Sequence, residues 1–330
     1  MRILSGVQPS GELHLGNYFG AIVQHLALQR EGDAYYFIAD YHALTTIQDG
    51  PRLAVLIRDV AATYIALGLD PTLCTFFRQS DVPEVLELTW LLEVVTGMGL
   101  LERAHSYKDK VAKGIRATVG LFTYPALMAA DILIYRSDFV PVGQDQVQHI
   151  EMAQDMASSF NHAFGTELLV RPESRLSEVP KVPGTDGQKM SKSYGNTIPI
   201  FASGKRLKKA INAIVTDSKD PKTDALDPEG CNAFAIFSLF ADADEQAELA
   251  EQYRKAPEVG FPGYGVTKKR IKELMDERFG ATRERYEALK QPGSELDDIL
   301  REGGAKARVV ARETLEACRE AVGLGKRLTR

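Results

Sequence analysis

Only three cysteines occur in the 330 residues, Cys74, Cys231 and Cys318. They are too few and too scattered for a zinc site or a disulfide framework, and free thiols fit a reducing cytoplasm. The sequence has neither a G-x-G-x-x-G nor a G-x-x-x-x-G-K-[ST] pattern, so the common dinucleotide and P-loop readings lose their warrant. It has no membrane-length apolar run either. The most apolar stretch, residues 118–135, contains Pro125 and Asp131, which argues against a spanning helix. No charged segment followed by an apolar run opens the chain, so no export signal is expected. Internal repeats and low-complexity tracts are also missing. The net charge of −5 argues against nucleic-acid binding through the whole surface and leaves room for a local basic patch. With 44% hydrophobic and 26% charged residues the composition is that of a globular protein, long enough for about two domains.

What the sequence does contain is concentrated first in residues 6–17, GVQPSGELHLGN. A short apolar strand (Ile3, Leu4) leads in, and Leu15, Phe19, Ile22, Val23 and Leu26 lead out at the spacing of one helix face. Strand, glycine-bearing turn and helix are how an open α/β sheet offers backbone N–H groups to an anion. Gly6, Gly11 and Gly16 permit tight turning and close approach of a ligand. His14 stands at the helix start, where its imidazole can donate to a phosphate oxygen. A second concentration, Lys189-Met190-Ser191-Lys192-Ser193, lies between Gly187 and Gly195. Two lysines three apart, interleaved with hydroxyls, make a mobile cationic loop suited to a polyphosphate.

Together the two stretches resemble the HIGH and KMSKS motifs of class I aminoacyl-tRNA synthetases. The first reads His14-Leu15-Gly16-Asn17, with Asn17 at the family's second histidine; the second matches at every position.

The chain between them alternates. Residues 34–39 read as a second buried strand, 51–67 as a helix and 73–77 as a third strand, the pattern of a doubly wound parallel sheet. His14, His42 and Gln79 fall just past strands, at the carboxyl ends where such sheets bind ligands. Residues 82–116 read as an insertion, with a helix over 85–95 carrying the single tryptophan, Trp90, and a basic stretch ending at Lys110 that alone reads as a solvated turn. Residues 121–134, LFTYPALMAADILI, read as an apolar helix with one carboxylate, Asp131, on the face of Leu127 and Met128. A buried carboxylate demands a donor, from the protein or from a ligand. A strand over 140–142 then delivers residues 143–146, GQDQ, to its carboxyl end, and a long helix follows.

TYPALMAADIL followed by VPVGQDQ narrows the likeness: with the opening SGVQPSGELHLGN it is similar to the bacterial tryptophanyl-tRNA synthetases. The nearest rival, tyrosyl-tRNA synthetase, generally pairs the Asp with a Gln three residues earlier, which suits a phenol that both donates and accepts. Here that position is Met128, suited to a flat aromatic face, and an indole N–H only donates. The resemblance implies a Rossmann-like catalytic domain over 1–195, dimer contacts in the inserted segment, a helical anticodon-binding domain over 196–292, and a final helix over 293–330 that returns to the first domain. It implies that Gln8, Pro9, Ser10, Gly16, Asn17, Gly143, Gln144, Asp145 and Val182 line ATP. Lys189, Met190, Ser191, Lys192 and Ser193 hold the leaving pyrophosphate, with His14 and Lys110 at the phosphates. Asp131, Met128, Tyr124, Gln146, His42 and Val142 hold tryptophan. Mg²⁺ is expected to enter with ATP, with no dedicated metal cage and no iron–sulfur cluster. The expected partners are tRNA(Trp) and a second copy of the chain, in the cytoplasm and away from membranes. His14 stands where many of these enzymes carry Thr, and Gln144 where they often carry Glu. Tyrosyl activation, a non-translational nucleotide-binding paralogue and a free-standing nucleotidylyltransferase are the other readings open at this point.

Overall fold

The computed structural model describes residues 1–112, 114–176 and 181–325, and within these every side chain save those of His105, Ser106, Lys110 and Asp145. The chain divides into two compact units: Met1–Ser10 with His25–Ser177 and Leu289–Arg330, and Gly11–Gln24 with Glu178–Ala288.

The first unit is built on a five-stranded parallel sheet in the order β3-β2-β1-β4-β5. The strands are β1 (Arg2–Val7), β2 (Asp33–Ile38), β3 (Cys74–Arg78), β4 (Phe139–Val142) and β5 (Glu173–Leu176). β2 is buried from Ala34 to Ile38 without alternation, as expected of a strand covered on both faces. Helix α1 (Gly50–Ala66) starts where Asp49 accepts from the Arg52 N–H and Pro51 occupies the first turn, the usual N-terminal signals. Helix α2 (Glu84–Glu93) buries Val85, Leu88, Leu91 and Leu92, and helix α3 (Val119–Ile134) buries Leu121, Ala126, Ala130 and Leu133. Thr118 caps α3 by accepting from Leu121 N–H at 3.2 Å. Helix α4 (Val147–Phe164) packs on α3 through Ile150, Met152 and Met156 and stops at Gly165, whose φ of 62° suits glycine.

Two elements differ from the expectation at the sequence level. β5 reads ESRL and all four residues are exposed; an edge strand with both faces wet carries no hydrophobic period to announce it. The basic stretch ending at Lys110 belongs to a helix, His105–Ala112, rather than a turn. Residues 82–116, read as an insertion, supply α2 to the main core.

In the second unit the basic helix α5 (Gly204–Asn212) exposes Lys205, Arg206, Lys208 and Lys209 and buries Leu207 and Ile211. Helix α6 (Ala243–Arg254) and helix α7 (Tyr264–Leu289) follow. Residues 11–24 join this unit through aromatic packing. Tyr18 meets Phe279 edge-on at 5.0 Å between centroids and Phe19 meets Phe240 at 5.1 Å, while Phe201 stacks on Tyr286 at 4.3 Å.

The chain re-enters the first unit at Leu289. Arg58 of α1 receives it, donating to the Leu289 and Lys290 carbonyls at 3.1 and 2.7 Å and to the Asp297 carboxylate at 2.6 Å. The last helix, α8 (Glu295–Ala321), covers the edge of β3, which leaves that edge unavailable to another strand. Gly303 permits the approach: a Cβ there would lie 1.8 Å from the Phe76 carbonyl oxygen. Arg308 and Arg312 of α8 also donate to Glu84, fully buried at the start of α2, at 2.8–3.1 Å.

Candidate active site

A cavity of about 280 Å³ opens in the first unit beside the carboxyl ends of β1, β2 and β4, near the low end of small-molecule sites. Its lining includes Gln8, His42, Tyr124, Met128, Asp131, Val142 and Gln146, together with Phe37, Pro141 and His149. Thus all six residues expected to hold the amino acid, and one expected at ATP, face a single cavity. Met128 and Asp131 reach it from one face of α3, three residues apart, as helical geometry requires.

Asp131 is 2% exposed. Its Oδ2 meets His42 Nε2 at 2.9 Å, and Gln79 Nε2 donates to Oδ1 and Oδ2 at 2.9 and 2.7 Å. Burial pushes this carboxyl up, and the hydrogen bond and charge of His42 and the amide of Gln79 oppose that rise. The donor that a buried acid demands is therefore an imidazole and an amide rather than an arginine or the backbone. His42 is held in turn by its carbonyl, which accepts from Thr45 Oγ1 at 2.7 Å and Gln8 Nε2 at 3.3 Å. Across the cavity the Tyr124 hydroxyl shares a 2.7 Å hydrogen bond with His149 Nε2. Gly143 and Gln144 stay exposed past β4 and do not line this cavity. Pro9 is buried and Ser10 exposed at the end of β1.

The two motifs lie together in the second unit. Leu15 N–H donates to the Ile198 carbonyl at 3.0 Å and Ile200 N–H to that of Leu13 at 3.2 Å. Gly16 N–H points at the Met190 sulfur, 3.3 Å away. A Cβ on Gly16 would sit 2.9 Å from the His14 ring and 3.3 Å from Met190, which is why this position takes glycine. Lys192 Nζ donates to the Gly11 carbonyl at 2.8 Å. His14 is 6% exposed, its Nδ1 has no hydrogen-bond partner among the described residues, and burial reinforced by the Lys192 charge pushes its pKa down to about 4. The imidazole is neutral near pH 7, one nitrogen donating and the other accepting. In return Asn17 Oδ1 accepts from the His14 backbone N–H at 3.1 Å.

The cationic loop, expected from its composition to be mobile, is held by Asn196. Its Oδ1 accepts from Ser191 N–H at 2.8 Å, and its Nδ2 donates to Asp186 at 2.7 Å and to the Lys189 carbonyl at 3.2 Å. Met190 N–H donates to the Val182 carbonyl at 2.9 Å, Ser191 and Ser193 hydroxyls lie 2.9 Å apart, and Gly187 and Gly195 take φ values of 82° and 66°. Lys189 and Ser193 remain exposed. The side chains of Lys110 and Asp145, both expected at the nucleotide, lie outside the described ones.

Sequence reasoning placed Gln79 at the ligand end of the sheet without a role, and it missed His149 and Asn196. Gln79 carried the signal of position; the other two carried none, because a histidine inside a helix and an asparagine after a glycine are common for local reasons. Among the described residues no group of three or more His, Cys, Asp or Glu side chains is placed to hold a metal ion, and no helix is long and apolar enough to cross a membrane.

Comparison with known proteins follows these contours. The family of class I tRNA synthetases for tryptophan and tyrosine matches residues 1–280. The chain is similar to tryptophan–tRNA ligase of Rhodopirellula baltica, 51% identical over 98% of this chain and all of that one. The Campylobacter jejuni ligase is likewise 51% identical, again over 98% and 100% of the two chains. A crystal structure of tryptophanyl-tRNA synthetase from C. jejuni with ADP and tryptophan superposes with a TM-score of 0.93, covering 98% of this chain and 100% of that one at 50% identity. A tyrosyl-tRNA synthetase from Archaeoglobus fulgidus, 22% identical with a TM-score of 0.63 over 86% of this chain and 90% of that one, shares the fold. The parallel sheet, the paired motifs and these likenesses agree: the chain belongs to the class I tRNA synthetases of the tryptophan and tyrosine type.

Proposed function

We infer that the protein activates L-tryptophan with ATP, forming tryptophanyl-adenylate and pyrophosphate, and transfers the acyl group to the 3′-terminal adenosine of tRNA(Trp). The observation that carries the reading is Asp131 beside Met128 in a cavity of single-amino-acid size. An acceptor-only carboxylate suits an indole N–H, and the thioether suits the ring face. Relatives about 50% identical bear the name tryptophan–tRNA ligase, and one was crystallised with ADP and tryptophan, which supports the same substrates here. A phenol would want a second polar partner where Met128 stands, which disfavours tyrosine.

The nucleophiles are substrate groups: tryptophan's carboxylate attacks the α-phosphorus, and a ribose hydroxyl later attacks the adenylate. The protein's task is to position them and to stabilise charge developing on phosphate oxygens. Asp131 and Met128 receive the indole, with Val142 lining the same pocket, while Tyr124 and Gln146 receive the ammonium end, with His42 nearby. Gln8, Pro9, Ser10, Gly16 and Asn17 line the triphosphate and adenosine, as do Gly143, Gln144, Asp145 and the Val182 backbone. Lys189 and Lys192, with Met190, Ser191 and Ser193 in their loop, draw off pyrophosphate, assisted by His14 and by Lys110. Mg²⁺ arrives as part of the ATP substrate. The helices of residues 196–292, with the basic face of α5, take the anticodon arm, and residues 293–330 complete the catalytic body.

A homodimer in the cytoplasm is the assembly we propose. Leu86, Trp90 and Val94 recur every fourth residue from within α2 to just past its end, and Met98 continues the outward apolar face; Trp90 is 63% exposed. Exposed apolar surface of this kind marks an interaction site.

Pyrophosphate exchange measured with each of the twenty amino acids tests the function. Exchange with tryptophan alone is expected; exchange with tyrosine at a comparable rate would overturn the substrate, and none with any amino acid would favour a non-translational paralogue.

A further inference from the structure

Gln79, the first residue past β3, is 1% exposed and touches Asp131 with one end only. Its Oε1 accepts from the backbone N–H groups of Tyr41 at 3.1 Å and His42 at 3.4 Å. Two donors on that side decide which way round the amide lies, so Nε2 must face the acid. The segment bearing those N–H groups is anchored too, since Asp40 accepts from Ser80 N–H at 3.0 Å. Gln79 is therefore a braced strut between the end of β3, the helix Asp40–Ala43 and α3.

A carboxylate offers about four acceptor positions. The contacts from His42 and Gln79 take two on Oδ2 and one on Oδ1, which leaves an acceptor position on Oδ1 of a residue that lines the cavity. We propose that Gln79 is the positioning residue that makes Asp131 selective for an indole N–H, fixing the plane of the carboxylate and leaving its free acceptor position toward the cavity. A neutral amide suits that task better than a cation, because it orients the acid without cancelling its charge. Without it the carboxylate would lose the donor that fixes its plane, with only His42 left to hold it. The proposal deepens the tryptophan reading and rests on it.

Two variants test it: Gln79→Met, of similar length and without polar atoms, and Gln79→Glu, which keeps an oxygen for the Tyr41 and His42 amides but sets a second carboxylate against Asp131. The readouts are kcat and KM in pyrophosphate exchange for tryptophan, for ATP, and for 3-benzothienylalanine, where sulfur replaces the indole N–H. Gln79→Met is expected to raise the tryptophan KM about 10- to 100-fold, the range for leaving a buried polar partner unsatisfied. Its ATP KM stays within about twofold, and its preference for tryptophan over the sulfur analogue falls by the same factor as the tryptophan KM rises. Gln79→Glu is expected to bind tryptophan poorly near pH 8 and to regain affinity near pH 6, as two carboxylates sharing a site retain one proton that can be donated to Asp131. His42, Asp40 and Tyr135 are the titratable neighbours of this pair, so wild type measured at both pH values is the baseline.

Unchanged discrimination in Gln79→Met, or equal loss of tryptophan and ATP, would overturn the proposal. If that variant does not fold, a tryptophan KM of Gln79→Glu that follows the wild-type pH profile overturns it instead. A wild type that fails to activate tryptophan sinks the substrate reading itself, a result distinct from wild-type activation with Gln79→Met indifferent to the N–H.

Discussion

Lys192 carries a charge whose cost and use are both visible at the scale of single residues. Its ammonium reaches the Gly11 carbonyl and adds to the burial that depresses the nearby His14, so the second unit holds a cation beside a neutral imidazole. Lys192→Ala is expected to slow adenylate formation by 10²-fold or more, about 3 kcal/mol of barrier; pyrophosphate exchange within about threefold of wild type would contradict the assigned role. His25 bears on stability instead. It stacks on Tyr36 at 4.9 Å, pairs with the Tyr64 hydroxyl at 3.0 Å, and burial pushes it down to about 4. Its unfolded value is 6.5, so between pH 6.5 and 4 the unfolded chain binds the extra proton and stability rises with pH. Acidification across that window is expected to remove roughly 3 kcal/mol through this one group, with no further loss from it below about 4. Urea unfolding at steps of pH reads this. His25→Phe should lack that share of the slope, and an unaltered slope would contradict the assignment. At this scale Asp131 was legible because a carboxylate in an apolar helix has few explanations. Gln79, His149 and Asn196 were not, because their work is to hold other residues, and such roles leave no pattern in the chain.

Elements were legible to the extent that burial imposed a period on them. β1 to β4, α1, α3 and α4 each carry apolar residues at strand or helix spacing, and the carboxyl ends of β1, β2 and β4 lie beside the cavity. β5 escaped notice because both its faces are wet. The contact of α8 with β3 escaped it because the determinant is an absence of side chain at Gly303. Gly303→Ala is expected to cost about 2–3 kcal/mol, since its Cβ has no room beside the Phe76 carbonyl. Gly280 in α7 is the control: a Cβ there meets nothing within 4 Å, so Gly280→Ala should stabilise by about 0.5–1 kcal/mol. Thermal unfolding of the two variants distinguishes them. Equal melting temperatures would mean that α8 does not depend on close approach to β3.

For the whole molecule, the chain is divided between two bodies: one holds the cavity with Asp131, and the other holds both sequence motifs, residues 14–17 and 189–193. Residues 11–24 are close in sequence to β1, yet their aromatic side chains commit them to the second body, an allegiance that no local period encodes. The outward stripe of Leu86, Trp90, Val94 and Met98 predicts a particle of twice the 36.4 kDa chain mass by light scattering, and a monomer for Trp90→Glu. A wild-type monomer at micromolar concentration would remove the dimer. The central claim, that one buried acid selects the substrate, is tested most directly by titrating Asp131→Asn with tryptophan and, separately, with ATP. Tryptophan binding should weaken by one to two orders of magnitude, as for a lost buried hydrogen bond to a charged group, while ATP binding stays near wild type. Equal loss of both ligands would make Asp131 a structural carboxylate and contradict the claim.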